Sequence, residues 1–268
     1  MTGSLTFVGT ATTLLSYGGF TLLTDPNFLH RGQRAYLGKG LVAKRLTEPA
    51  LRVEELPPLD AVVLSHLHGD HFDRVARGGL PKDTPIITTR SAARRLRLWG
   101  FSEAVALDTW QSHELRSASG DVLTVTATPG RHARGPAQAL LPEVMGSVLE
   151  YTPMDAAAMQ VYITGDTLVV EDLREIPLRY PALDLGLWHL GGTRIPGFLG
   201  LGMLVTMDAR QGADLLELVH PARTVPIHYD DYRVFRSPLA DFLTEVERRG
   251  LSGVRPVERG QTLPLPLV

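Results

Sequence analysis

The sequence of 268 residues contains no cysteine and almost no excess charge, and each absence excludes a class of protein. Without cysteine, neither disulfide bonds nor thiolate metal sites can form. Because the formal net charge is only -2, the chain lacks the basic surplus that is typical of nucleic-acid-binding proteins. A chain without disulfides is compatible with a reducing compartment, and we expect a cytoplasmic protein that binds no nucleic acid.

Long hydrophobic runs of membrane-spanning length are also missing. Residues 1–24 carry no charged side chain, but they lack the basic start of an export signal, and "SYGGF" is typical of a hairpin turn. The other uncharged run, "IPGFLGLGMLVTM" (195–207), is too short and too rich in glycine to cross a bilayer. The sequence therefore predicts no transmembrane segment.

The order of elements indicates one α/β domain over residues 1–268, built on two sheets. Apolar and β-branched runs bounded by glycine and proline predict strands. In "DVLTVTATPG" (121–130), Leu123, Val125 and Ala127 alternate with three threonines, which is typical of a half-buried strand. The other predicted strands are "LTFVGT", "TTLLSY", "FTLLTDP", "AVVLSH", "MQVYITGD", "DLGLWHL" and "RTVPIHYD".

Four segments and a short stretch near 170–178 are predicted to be helical. "SAARRLRLWG" (91–100) begins with Ser91 as a candidate N-cap, and "SPLADFLTEVERRG" (237–250) begins with Ser237. "TMDARQGADLLELV" (206–219) has Thr206 or Asp208 as its candidate cap. The fourth helical segment is "DRVARGGL".

"SHLHGDHFDR" (65–74) concentrates three of the nine histidines of the chain. Imidazole and carboxylate are the side-chain groups that bind divalent cations when no thiolate is available. Since residues leaving a strand alternate in direction, His66 and His68 point the same way and can hold one ion. Asp70 and His71 follow where the chain turns toward a helix and can reach a second ion.

Three further candidates follow predicted strands. His132 comes after "VLTVTATPG", Asp166 after "VYITG" and His228 after "TVPI". Open α/β sheets place their ligand sites at such strand ends. Seven nitrogen and oxygen ligands suit two metals with one bridging carboxylate.

"HLHGDHFD" resembles the H-x-H-x-D-H motif of the metallo-β-lactamase-fold hydrolases. "TFVGTATTLLSYGGFTLLTDP", "TPGRH", "ITGDT", "HLGG…TMD" and "PIHYD" match the same superfamily in the same order along the chain. The continuation to Asp73 is similar to the branch of ascorbate-6-phosphate lactonases and of phospholipase-D-like enzymes that act on N-acyl phosphatidylethanolamines.

The resemblance implies a four-layer αββα sandwich with the metals at one edge between two mixed sheets. It assigns His66, His68 and His132 to a first metal. Asp70, His71 and His228 would bind a second metal, with Asp166 bridging the two. Two divalent ions are implied, with zinc first and manganese or iron as alternatives.

Three residues keep open alternatives. His189, after a strand, either faces the pocket as a substrate contact or proton donor, or is a buried hydrogen-bonded histidine. Asp73 either orients a metal ligand from behind or starts a helix. Asp25 has the same supporting role or shapes the turn before Pro26. His30, His113 and His220 are interpreted as structural or surface residues.

Two clustered cations lower the pKa of a shared water to roughly 7 on zinc precedents and so supply hydroxide. The expected activity is therefore hydrolysis of an ester-type bond, a phosphodiester or a lactone, without a covalent intermediate. Asp70 would be catalytic as well as a ligand, because it can hold the proton of the nucleophile.

Two segments bear on the substrate. The basic segment "HRGQRAYLGKGLVAKRL" (30–46) would attract an anion if it lines the metal edge, and is otherwise a solvated loop. The run at 194–206 is a lid over a lipid-like substrate, a subunit interface or a packed loop. The expected partner is thus a small or lipid-like anionic substrate, with peripheral membrane contact and homo-oligomers left open.

Two other functional classes stay open on this fold. One is a non-catalytic metal- or metabolite-binding protein. The other is a di-iron redox protein, a class that usually has Glu at the position of His68 and an appended flavin domain.

Overall fold

The computed structural model describes residues 3–38, 40–155, 157–196 and 202–266. Two large mixed sheets of seven and six strands form the centre of the molecule, and two short hairpins lie outside them.

The first sheet has the order β17-β1-β2-β3-β6-β7-β8. Its first four strands pair antiparallel, and pairing is parallel from β3 to β8. Gly18 and Gly19, both with positive φ, form the two-residue turn between β2 and β3, as "SYGGF" predicted. The strands are β1 (Gly3–Gly9), β2 (Thr12–Tyr17), β3 (Phe20–Thr24), β6 (Ala61–Val63), β7 (Ile86–Thr89), β8 (Ala104–Leu107) and β17 (Thr262–Leu265).

The second sheet has the order β16-β13-β12-β11-β10-β9. The strands β16, β13 and β12 run parallel, and the other three pair antiparallel. The strands are β9 (Ser112–Arg116), β10 (Val122–Gly130), β11 (Val144–Thr152), β12 (Met159–Ile163), β13 (Leu185–His189) and β16 (Arg223–Ile227). The separate hairpins are β4 (Arg34–Tyr36) with β5 (Val42–Lys44), and β14 (Arg194–Pro196) with β15 (Gly202–Leu204).

The helices cover the outer faces of both sheets. They are α1 (Arg74–Gly79), α2 (Arg90–Leu98), α3 (Glu175–Arg179), α4 (Ala209–Val219) and α5 (Leu239–Arg248). Short 3-10 helices span Val53–Glu55, Gly135–Leu140 and Glu171–Arg174. In the described ranges, no helix is long and apolar enough to span a membrane.

Three hydrophobic layers hold these elements together. The central layer contains inward side chains of both sheets, including Leu123, Val125 and Ala127, so the alternation of this strand is confirmed. A second layer packs Trp188 of β13 against α4 and α5, and a third packs the first sheet against α1 and α2. Helices therefore flank two stacked sheets, and the predicted four-layer αββα sandwich is confirmed.

Two predicted helix starts were wrong. The helix α2 begins at Arg90, and Thr89 caps it by accepting a hydrogen bond from the Ala92 amide, so Ser91 is inside the helix. Ser237 does not cap α5, because its hydroxyl accepts a hydrogen bond from the Ala209 amide at the start of α4. Asp208 caps α4, as one of the two alternatives predicted.

Candidate metal centre

The seven predicted ligands lie together at one edge of the sandwich. The loops that carry them follow the carboxyl ends of β6, β10, β12 and β16. In the second sheet β12 and β16 are parallel to β13 between them, so their carboxyl ends reach the same edge.

His66, His68 and His132 form the first group. Their candidate ligand atoms all lie within 4.8 Å of one another. His66 Nε2 is 2.9 Å from His68 Nδ1, so the two rings present nitrogens to the same space. This geometry suits a single ion held by three imidazoles.

Asp70, His71, Asp166 and His228 form the second group, with ligand atoms again within 4.8 Å of one another. His71 Nε2 is 3.2 Å from Asp166 Oδ2, and His228 Nε2 is 3.6 Å from Asp70 Oδ2. The rings of His66 and His71 have centroids 4.1 Å apart, so the two groups adjoin.

Several atoms of both groups are buried without a hydrogen-bond partner in the described structure. They are His71 Nε2, His132 Nε2, His228 Nε2, Asp70 Oδ1 and Asp166 Oδ1. Leaving a buried polar group unsatisfied costs about 1–3 kcal/mol, and more for a charged group. A divalent cation is the partner that would satisfy imidazole nitrogens and carboxylate oxygens together, so the donor set fits a metal.

The other nitrogen of each of three histidines contacts the protein. His132 Nδ1 lies 2.9 Å from the carbonyl of Val205, and His228 Nδ1 lies 3.2 Å from that of Leu190. His66 Nδ1 is 3.0 Å from Ser65 Oγ. Such contacts fix the ring orientation and leave Nε2 as the metal-facing nitrogen.

Asp25 supports His71 from behind. Its Oδ1 accepts hydrogen bonds from the amide and hydroxyl of Ser65 at 2.7 and 2.9 Å. Its Oδ2 is 3.3 Å from His71 Nδ1 and 3.2 Å from His189 Nε2. Burial acts to raise the pKa of Asp25, but the two imidazoles outweigh it and lower this pKa to about 2, so the carboxylate stays charged.

His189 lies behind the centre and has no exposed surface. Its Nε2 faces Asp25, and its Nδ1 lies 3.2 Å from the Thr164 hydroxyl. Burial lowers the pKa of its imidazole. This placement matches the alternative of a buried hydrogen-bonded histidine and leaves no side-chain nitrogen for a substrate.

Asp73 starts a helix, which is one of its two predicted alternatives, and none of its described hydrogen bonds goes to a candidate metal ligand. One oxygen accepts hydrogen bonds from the amides of Val75 and Ala76 and caps α1. The other accepts from the Leu29 amide at 2.6 Å and from Asn27 Nδ2 at 3.1 Å. The carboxylate therefore joins the start of α1 to the segment after β3.

The basic segment 30–46 lies against the first group, through the hairpin β4–β5. The Gly69 amide donates to the carbonyl of Tyr36 at 2.9 Å. A Cβ on Gly38 would lie 3.5 Å from His68 Nε2. A solvated loop was the alternative prediction, and the three-residue strands, which the sequence analysis missed, place the hairpin beside the histidines instead.

The run 194–206, for which a lid, a subunit interface and a packed loop were the predicted alternatives, contains the paired strands β14 and β15, and its residues 197–201 lie outside the described residues. Its end contacts both groups: the carbonyl of Val205 accepts from His132, and the Thr206 hydroxyl donates to Asp166 Oδ2 at 2.9 Å. No sequence pattern indicates either contact, and Thr206 is predicted only as a candidate helix cap.

The remaining histidines lie away from the site. His30 is exposed and pairs with Glu48, and His220 ends α4 in a left-handed conformation. His113 lies on β9 and is partly exposed. These positions agree with the prediction of structural or surface residues.

The chain is similar to several known proteins in sequence and in fold. A relative from Deinococcus radiodurans named as a metal-dependent hydrolase is 29% identical over 259 residues, 96% of this chain and 97% of its own. An isothiocyanate hydrolase from Delia radicum gut bacteria superposes with a TM-score of 0.79 at 24% identity, over 97% of this chain and 98% of its own. A metallo-beta-lactamase fold protein from Bacillus subtilis superposes with a TM-score of 0.60 at 16% identity, covering 98% and 99%.

The family model of the beta-lactamase superfamily domain matches residues 21–229, from β3 through the loop that contains His228. These residues include all seven members of the two groups. The narrower branch suggested by the sequence stays a prediction. The chain therefore belongs to the family described as the beta-lactamase superfamily domain.

Proposed function

We propose that this protein is a metal-dependent hydrolase that cleaves an ester-type bond, a phosphodiester or a lactone, in an anionic or amphiphilic substrate. The two groups described above would hold two divalent ions, for which zinc is the first candidate. Asp166 would hold the second ion together with His71 and His228, whose ring nitrogens lie 3.2 and 3.5 Å from its carboxylate oxygens. Its role as a bridging ligand is the one that the resemblance implies.

The observation that carries the proposal is the set of five buried nitrogen and oxygen atoms that lack a hydrogen-bond partner at one edge of the sandwich. Buried polar atoms are nearly always paired in folded proteins. Five such atoms on five neighbouring side chains, all of them imidazole nitrogens or carboxylate oxygens, therefore favour a site that a cation completes.

The metal ions and the residues of the site would have different roles in hydrolysis. When bound, divalent ions would lower the pKa of a water to near neutrality and would stabilise the negative charge that develops in the transition state. Asp70 would hold a metal through one carboxylate oxygen and accept the proton of the nucleophile with the other. Ser65 is poorly suited to act as a covalent nucleophile, because it is buried and its hydroxyl donates to Asp25, whose low pKa makes that carboxylate a weak base.

The test compares the wild type with Asp70→Asn, which keeps the size of the side chain and removes its charge. Metal content is measured after dialysis, and hydrolysis is followed with bis(4-nitrophenyl) phosphate, a lactone and, because of the structural neighbour, an isothiocyanate. We expect about two equivalents of metal in the wild type and a rate at least about 100-fold lower in the variant.

Asp241→Asn, on the exposed side of α5, is the matched control and should retain full activity. Equal rates in wild type and Asp70→Asn would refute the mechanism. Metal-loaded protein that hydrolyses nothing in a broad panel would favour the non-catalytic alternative. Iron with a reversible redox transition would favour the di-iron alternative.

A further inference from the structure

A cavity of about 250 Å³ lies beside the metal centre, between β4, the start of α1 and Trp99, which follows α2. Leu67 and Gly69, the two neighbours of His68 in sequence, line its wall. Because such a volume is below the roughly 300–1,000 Å³ of whole-ligand pockets, this cavity suits one chemical group of a larger molecule.

Three arginines line this cavity, and we call it the arginine pocket: Arg34 from β4 and Arg74 and Arg77 from α1. Within the described residues, none of the three is within ion-pair distance of a carboxylate. The guanidinium of Arg74 donates one bond, at 3.1 Å, to the Arg34 carbonyl. Most guanidinium donors of the pocket are therefore free for a ligand.

The wall also contains one acid, Asp73, which is buried and whose two oxygens accept hydrogen bonds from backbone amides of α1 and of the segment after β3. Its carboxylate offsets one of the three arginine charges, so the lining keeps an excess of positive charge. Such an excess raises the local concentration of anions. Guanidinium groups also match the geometry of phosphate and carboxylate oxygens.

Two aromatic side chains, Trp99 and Phe72, also line the pocket. The Arg77 guanidinium lies 4.4 Å from the ring centroid of Trp99, and Trp99 stacks on Phe72 with centroids 6.3 Å apart. The stacked position holds the guanidinium over the ring and limits its freedom. The pocket therefore combines an oriented cation with an apolar surface.

A backbone contact connects the arginine pocket to the first metal group. The Tyr36 carbonyl on β4 accepts the Gly69 amide, and a Cβ on Gly69 would lie 2.8 Å from the Tyr36 backbone. The chain segment that presents His68 to His66 thus forms part of the wall of the pocket.

We propose that the arginine pocket binds an oxyanionic group of the substrate, a phosphate or carboxylate, that is separate from the bond cleaved at the metal centre. This assignment rests on the proposed hydrolytic function and narrows its substrate to molecules with an anionic group at a distance from the reacting bond. Apolar atoms next to that group would contact Trp99 and Phe72.

The first measurement is binding of inorganic phosphate to the metal-loaded protein by calorimetry. It compares wild type, Arg74→Gln/Arg77→Gln and Asp70→Asn. We expect the arginine double variant to bind phosphate at least tenfold more weakly and Asp70→Asn to bind it like the wild type. The opposite pattern, or equal affinity in the wild type and the arginine variant, would overturn the assignment.

The second measurement compares two esters or lactones that differ only in a remote carboxylate or phosphate. The preference for the anionic substrate, as the ratio of the two kcat/KM values, should fall tenfold or more in Arg74→Gln/Arg77→Gln. An unchanged ratio would overturn the assignment. Arg94→Gln/Arg255→Gln, which removes two exposed charges elsewhere, should leave both phosphate affinity and preference unchanged.

The two proposals fail in different ways. If the wild type hydrolyses nothing, the hydrolytic function fails, and the phosphate titration still shows whether the arginines bind an oxyanion. If hydrolysis proceeds without any effect of the arginines, only the pocket assignment fails. Thermal unfolding of every variant identifies a loss that comes from misfolding.

Discussion

At the residue scale, the imidazoles of the two metal groups differ in the charge they carry before a metal binds. Burial and the neighbouring imidazoles lower the pKa of His68 to about 3, and burial lowers the pKa values of His66 and His132 as well. In the second group, burial also acts to lower the pKa values. The negative charge of the neighbouring carboxylates, chiefly that of Asp166, outweighs the effect of burial and raises the pKa values of His71 and His228.

We predict that the two metal positions respond differently to pH. Because their pKa values are raised, His71 and His228 keep their protons to higher pH than the imidazoles of the first group, whose pKa values are lowered, and a metal must displace those protons. Affinity at the second position should fall by up to roughly tenfold per displaced proton for each unit of pH decrease. Zinc titrations at pH 6.5, 7.5 and 8.5, in buffers of different ionisation enthalpy, measure both the slope and the released protons.

The variant His228→Asn disables the second position and should leave a single site with a shallow pH dependence in this range. His220→Asn is the matched control, because His220 lies away from the site and asparagine tolerates its left-handed backbone. Two positions of equal slope, with no proton release at the second, would contradict the prediction.

The sequence indicated the seven candidate residues because each follows a strand, where side chains of a sheet converge. Their supporting contacts were less predictable. The Val205 carbonyl contacts His132, and every residue offers a carbonyl, so no side-chain pattern marks this role. The burial of His189 depends on how β13 packs between its neighbours, which the order of residues along the chain does not specify.

At the scale of elements, the contact between the hairpin β4–β5 and the turn at Gly69 connects substrate-side structure to the metal ligands. Gly69 has no side chain, and a Cβ there would lie 2.8 Å from both the nitrogen and the oxygen of Tyr36. Real Cβ atoms do not approach backbone so closely, so either the hairpin or the turn would have to move. Glycine is required at this position by close approach.

We predict that Gly69→Ala separates the hairpin from the turn and displaces His68. Hydrolytic activity and metal affinity at the first position should each fall about 10-fold or more, as expected when a supporting contact of a metal ligand is lost. The measurements are zinc competition with a chelator and kcat/KM on the best substrate of the wild type.

Gly78→Ala in α1 is the matched control. A Cβ added at Gly78 would have open space around it, with no described atom within 4 Å, and alanine favours helix over glycine by roughly 1 kcal/mol. This variant should bind zinc normally and melt at an equal or higher temperature. Normal zinc affinity and activity in Gly69→Ala would show that the hairpin does not hold His68.

Elements with strong patterns were predicted well, and short ones were not. The alternation in β10 and the cap of α4 are local features, and both agree with the structure. The three-residue strands of β4 and β5 lie in a segment rich in glycine and basic residues, which has no strand pattern. The caps at Ser91 and Ser237 failed because a threonine two residues earlier and a neighbouring helix, respectively, take over those hydrogen bonds.

At the scale of the whole molecule, one buried ion pair joins distant parts of the chain around the metal edge. Arg45, after β5, and Asp231, after β16, both have fully buried side chains and lie 3.3 Å apart. Arg45 also donates to the Asn27 carbonyl at 2.9 Å, and Asp231 accepts from the Thr10 amide at 2.8 Å. Composition suggested a basic segment open to solvent, and only the tertiary fold shows that one of its arginines is internal.

We predict that Arg45→Met destabilises the protein by about 1–3 kcal/mol, because the buried Asp231 carboxylate loses one of its partners and keeps Arg259 and Thr47. Urea unfolding of the metal-free protein measures this loss. Lys44→Met, an exposed neighbour on β5, should change stability by no more than about 0.5 kcal/mol. A similar small effect for Arg45→Met would show that the pair contributes little.

The same substitution also tests how the fold supports the metal centre. The Thr10 amide binds Asp231, and the Thr10 carbonyl accepts the backbone amide of His228 at 2.8 Å. His228 has a positive φ of 62°, a strained conformation for this residue that its surroundings must maintain. Loss of Arg45 should therefore weaken zinc binding at the second position more than at the first, which zinc titration of the folded variant would measure. Equal loss at both positions would instead indicate general loosening of the fold.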